Sequence, residues 1–111
     1  MNLAISALDY IDAIKNERFT IEEFVYDTFE QIKKVDEKLH AYLSLNDKAL
    51  DQAKELDKKR KAKEKIGSCI GMPIAIKDNI CVKDTKTTCA SKMLEKYVAP
   101  FDATVIARLR S

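Results

Sequence analysis

The run Gly71-Met-Pro-Ile-Ala-Ile-Lys-Asp-Asn-Ile80 decides how this chain is read. Ile74, Ala75 and Ile76 are consecutive apolar residues behind the turn residues Gly71 and Pro73. Such a run predicts a strand buried on both faces of a helix-covered sheet. Lys77 stands at the exit of that strand. An amine in water titrates at about 10.4 and is protonated at neutral pH. Desolvation beside Ile74, Ile76 and Ile80 would disfavour the ammonium, so that a neutral amine takes a proton from a hydroxyl and later returns it to a leaving amine. Asp78 opposes this, because a carboxylate close to the amine favours the charged form. Alternation along an extended chain sends neighbours to opposite faces, so the two groups need not meet.

The 111 residues are 46% hydrophobic, enough for one small domain with a core of modest size. With 34% charged residues the net charge is only +2, so no global electrostatic case arises for nucleic acid or an anionic membrane. The imbalance is local: residues 1 to 47 are acidic, and residues 48 to 65 are basic. No apolar run approaches the roughly 20 residues of a membrane span. Asp9 and Asp12 interrupt the N-terminus where a secretory signal would be apolar, so a cytoplasmic chain with no membrane partner is expected. Cys69, Cys81 and Cys89 form no C-x-x-C pair and His40 is the sole histidine, which argues against a disulfide framework or a zinc site and for reduced thiols. His40 itself reads as a surface or helix-end imidazole.

Upstream of the lysine run, Ala4, Ala7, Leu8, Ile11 and Ile14 recur at helical spacing, predicting an amphipathic helix that ends near Asn16. Thr20 stands three residues before Glu23, the capping-box arrangement that opens a second helix. Ile21, Phe24, Val25, Phe29, Ile32 and Val35 give that helix its apolar stripe. Ala41-Tyr-Leu-Ser-Leu45 predicts a short strand. Asn46 or Asp47 then caps a third helix, with apolar residues at Ala49, Leu50, Ala53 and Leu56. Lys58-Lys-Arg-Lys61, Lys63 and Lys65 leave no apolar face beyond it. Such a run could meet RNA phosphates, but without interleaved aromatics it reads as a solvated helix end.

Downstream, Thr85 to Ser91 is rich in small polar residues and reads as a loop. Asp102 has the side chain of an N-cap for a last helix reaching Arg110. Val105, Ile106 and Leu109 on so short a helix need a sheet to cover. The expectation is an incomplete α/β domain: a helical segment with a short strand over residues 1–65, then the truncated start of a sheet core over residues 66–111.

Five segments follow one another in a familiar order: Leu39-His-Ala-Tyr-Leu43, Ala53-Lys-Glu-Leu-Asp57, Gly71 to Ile80, Thr87-Thr-Cys-Ala-Ser-Lys92 and Phe101-Asp-Ala-Thr-Val105. Together they resemble the amidase signature family over nearly the whole chain. The stretch from Thr87 to Val105, with Leu94-Glu95, is most similar to the A subunits of tRNA-dependent amidotransferases. The resemblance implies a mixed, helix-covered sheet and a glutaminase half-reaction. A serine attacks the side-chain amide of glutamine, and the ammonia released amidates Glu-tRNA(Gln) or Asp-tRNA(Asn) on another protein of the complex. It further implies the B and C subunits of the amidotransferase as partners, ATP and Mg²⁺ used by the B subunit, and no cofactor or metal in this chain. In the family the base of the Ser-Ser-Lys triad is a strand-end lysine, which maps onto Lys77 and works through a bridging serine to the nucleophilic one.

Both family serines belong to a glycine- and serine-rich segment that does not occur among these residues. Ser6, Ser44, Ser68, Ser91 and Ser111 include no adjacent pair, and only Ser68 has a glycine neighbour, ahead of the lysine. The chain is therefore expected to be the N-terminal portion of such an enzyme and inactive alone. Two other readings give the same residues different work. One is a general small-amide amidase of the same family, and the other a non-catalytic protein or RNA interaction module in which Lys77 is a surface residue.

Overall fold

Ser6 opens the first helix, its Oγ accepting the Asp9 N–H at 3.1 Å and so satisfying one of the free amides at a helix start. From there α1 runs Ala7–Lys15 and stops at Asn16. The computed structural model describes residues 3–111, and its chain divides into two units, Met1–Pro73 and Ile74–Ser111. In the first, the inward positions of α1 are Tyr10, Ala13 and Ile14. The expected stripe was different. Because the cap is Ser6, Ala4 lies ahead of the helix, and Leu8 is 78% exposed.

The capping box forms as the spacing predicts. Thr20 Oγ1 accepts the Glu23 N–H at 3.1 Å, and Glu23 Oε2 accepts the Thr20 N–H at 2.8 Å. This starts α2, Ile21–Leu39. Ile21, Phe24 and Val25 are buried, whereas Phe29 and Ile32 are half-buried and Val35 is exposed. The core therefore sits at the N-terminal end of this helix. Phe24 meets the Tyr10 ring edge-on at 4.7 Å and stacks on Phe19 at 5.4 Å, geometries in which ring edges and faces attract. His40 ends α2 in the left-handed conformation with its N–H on the Asp36 carbonyl, the helix-end position expected for it.

The third helix, α3, Ala49–Lys61, packs on α2, with Ala53 buried and Leu50 and Leu56 against the same core. Its N-cap is Lys48, not Asn46 or Asp47. Asn46 Oδ1 instead accepts the Lys48 N–H at 3.1 Å, a turn that leads into the helix. The expected strand over residues 41–45 does not form. The Ala41 and Tyr42 amides donate to the Asp36 carboxylate at 2.7 and 3.4 Å, so their donors go to a side chain and not to a neighbouring strand.

Nor is the basic run uniformly solvated. Arg60 Nη1 donates to the Ile14 carbonyl at 2.5 Å, and its Nε lies 3.6 Å from Asp57 Oδ1. Asp57, 6% exposed, accepts the Ile21 and Glu22 N–H groups at 3.2 and 3.0 Å. One carboxylate on α3 thus covers the open start of α2 and holds the arginine that reaches the end of α1.

The chain leaves this unit through Ile70 and Gly71, both at positive φ (46° and 68°), with the Tyr10 hydroxyl donating to the Ile70 carbonyl at 3.2 Å. A Cβ at position 71 would stand 2.8 Å from Leu56 Cδ1 and 2.9 Å from Ile21 Cγ2. Glycine is required there by conformation and by space.

In the second unit the strand expected over Ile74, Ala75 and Ile76 is absent. The segment has no regular structure, none of the described residues pairs with it, and Ile74 and Ile76 are 48% and 38% exposed. A strand is defined by its neighbour's N–H and C=O groups, and an apolar run cannot supply them alone. Regular structure among the described residues is helical. The nearest approach to a sheet is one antiparallel bridge, Lys86 with Val98, flanked by Thr87 N–H to Tyr97 O at 3.2 Å and Ala99 N–H to Thr85 O at 2.9 Å. This clasp closes over a 3₁₀ turn at Lys92–Leu94 and buries Ala99. The last helix, α4, is Thr104–Arg110, with Ile106 buried. Asp102 is not its N-cap: that position is Ala103, and Asp102 Oδ1 accepts the Lys83 N–H at 2.8 Å.

Candidate functional site

Lys77 lies at the end of the apolar segment over residues 74–76, its carbonyl accepting the Ile80 N–H at 3.0 Å in a tight turn. The burial expected around its side chain is not present, and Lys77 is exposed. The described residues therefore do not exclude water from the amine.

Asp78 is better defined. Its Oδ1 accepts the Thr88 N–H at 2.8 Å, its Oδ2 takes a short hydrogen bond from the Thr88 hydroxyl, and its carbonyl accepts the Cys89 N–H at 3.0 Å. The Thr88 hydroxyl first, then the Thr88 N–H, hold the carboxyl below its usual range against the opposing effect of burial. Asp78 and Lys77 form no ion pair. The aspartate's side chain is engaged by Thr88 of the 87–91 loop.

That loop takes its shape from the same contacts. Cys89 and Ala90 are both left-handed, at φ 50° and 56°, and the Ser91 N–H closes a turn on the Thr88 carbonyl at 2.8 Å. Ser91 thus acts as a turn residue, its carbonyl in turn accepting the Leu94 N–H. Thr87, 3% exposed, has a hydroxyl with no hydrogen-bond partner among the described residues. The thiols of Cys69, Cys81 and Cys89 are free. Ser68 belongs to the first unit. Two surface depressions of about 530 and 490 Å³ also belong to that unit, one beside Tyr26 and Lys54 and the other beside Ile14 and Gly67, and neither is lined by Lys77.

Two important residues escaped sequence reasoning. Asp57 looked like one acid in a charged helix, and only its place in Ala53-Lys-Glu-Leu-Asp57 set it apart. Asp78 was weighed for its effect on the amine and not as the anchor of a loop ten residues away.

The fold recurs in a solved structure described as an unexpected vestigial protein complex that reveals the evolutionary origins of an s-triazine catabolic enzyme. The likeness has a TM-score of 0.87 and 20% identity, and covers 96% of this chain and 24% of that one. At that identity it speaks for the fold alone. The Amidase family model matches residues 23–111, and the chain belongs to the amidase family. Its curated relatives include the A subunit of glutamyl-tRNA(Gln) amidotransferase from Cenarchaeum symbiosum, 50% identical over 104 residues, which are 94% of this chain and 21% of that protein. The protein of the same name from Fusobacterium nucleatum is 44% identical over 107 residues, 96% of this chain and 22% of its own length. The chain spans about a fifth of the length of the relatives it matches. No helix among the described residues is long and apolar enough to cross a membrane.

Proposed function

We propose that this chain is part of the glutaminase component of a tRNA-dependent amidotransferase and carries the lysine base of its Ser-Ser-Lys triad. The 50% identity to the A subunit of a glutamyl-tRNA(Gln) amidotransferase is the observation that carries this reading. It is supported by Lys77 standing at the end of the apolar run that resembles the family's lysine segment. In the complete protein the run over residues 74–76 joins the mixed sheet, and the elements that cover it remove water from Lys77. Lys77 then takes the proton of the nucleophilic serine through a bridging serine as the hydroxyl attacks the glutamine amide. The same proton passes to the departing ammonia. Ammonia moves to the B subunit, where ATP and Mg²⁺ serve the amidation of the charged tRNA, and the C subunit completes the assembly. The 111-residue chain by itself is inactive.

The test is Lys77→Ala in the full-length protein within its complex. Glutamine hydrolysis should fall by about three orders of magnitude or more, as when a triad member is removed. The circular dichroism spectrum should be unchanged. Ammonia release within tenfold of wild type would end the assignment of Lys77 as base.

A further inference from the structure

We infer that Asp78 is a positioning residue for Lys77, its carboxylate clamping the Thr87-Thr-Cys-Ala-Ser91 loop onto the backbone that carries the lysine. This rests on the proposed role of Lys77. Asp78 follows Lys77 directly, and its side-chain hydrogen bonds go to the loop: from the Thr88 N–H at 2.8 Å and from the Thr88 hydroxyl. Its main chain is engaged too, through the Cys89 N–H at 3.0 Å. The backbone just after Lys77 is therefore held from both its side chain and its carbonyl, and by the Ile80 N–H on the Lys77 carbonyl.

The loop has a defined shape. Cys89 and Ala90 are kept left-handed, a conformation that non-glycine residues adopt only when their surroundings demand it. Its base is pinned by the Thr87 N–H on the Tyr97 carbonyl and by the Lys86 and Val98 bridge. The Asp78 clamp thus restrains the backbone immediately after the base from the loop side. The carboxylate serves here because it accepts on both oxygens, Oδ1 from the Thr88 N–H and Oδ2 from the Thr88 hydroxyl, whereas an amide has one accepting oxygen and one donor nitrogen.

The experiment compares Asp78→Asn, Thr88→Val and Thr88→Ser with Lys77→Ala in the full-length complex. Asp78→Asn and Thr88→Val should each lower kcat for glutamine hydrolysis by about 10- to 100-fold, the loss expected when a reacting group is misplaced by about 1 Å. KM should stay within about threefold, since glutamine binding is untouched. Thr88→Ser, which keeps the hydroxyl, should recover most of kcat. The double variant Asp78→Asn/Thr88→Val should be no worse than either alone, because both break one clamp. A kcat within threefold of wild type in folded Asp78→Asn, while Lys77→Ala is inactive, would overturn the inference and leave the base assignment standing. Activity in Lys77→Ala would overturn both. Should Asp78→Asn not fold, Thr88→Val against Thr88→Ser decides: equal kcat in the two overturns the clamp.

Discussion

Tyr10 ties the first helix to the turn at Ile70. Its ring lies edge-on to Phe24 and its hydroxyl donates to the Ile70 carbonyl. Burial chiefly, then the negative charge of Asp57, push the Tyr10 phenol up to about 12, with Arg60 opposing. The folded value lies above the unfolded value of 10.0, so the fold favours the protonated form. Its contribution is complete below pH 10 and is lost as pH rises through 12, on the order of 2 to 3 kcal/mol in all. Urea midpoints between pH 9 and 12 should therefore fall more steeply for the wild-type chain than for Tyr10→Phe. Parallel slopes would show that the phenol does not govern this loss. Gly71 belongs to the same scale: its need for glycine was invisible in the sequence, because the crowding comes from Leu56 and Ile21, distant along the chain.

Among the elements, the start of α2 is held twice, once locally and once at a distance. The Thr20 and Glu23 box was legible because both partners lie within four residues, and the spacing alone implies the geometry. Asp57 was not, since it reaches the Ile21 and Glu22 amides from a different helix. Asp57→Ala would strip those two donors and leave Arg60 without its carboxylate in a half-buried site. The expected loss is about 3 kcal/mol in urea denaturation, typical of breaking a buried ion pair by removing one partner. A change under about 1 kcal/mol would mean that Thr20 alone suffices. The strands behaved in the opposite way. Ala41 to Leu45 and Ile74 to Ile76 have strand-like composition, yet the first gives its amides to Asp36 and the second finds no ladder among the described residues.

At the scale of the whole molecule, apolar surface stays uncovered in the second unit. Met93 is 95% exposed, and Val98, Phe101 and Val105 are each about half exposed. The 111-residue chain should bind an environment-sensitive apolar dye and release no ammonia from glutamine. A chain that bound no dye would contradict this exposure, and one with glutaminase activity would contradict the proposed inactivity of these residues alone. By itself the sequence determined the three N-terminal helices, the Thr20 capping box and the order of segments that resembles the amidase family. All of these are written in short-range spacing or in local residue identity. Only the tertiary structure decided that Asp57 caps a helix from afar, that Arg60 is drawn out of the basic run, and that Asp78 is spent on the 87–91 loop and not on Lys77. Each depends on which distant backbone donors and carbonyls are brought within hydrogen-bonding reach, and no local pattern encodes that.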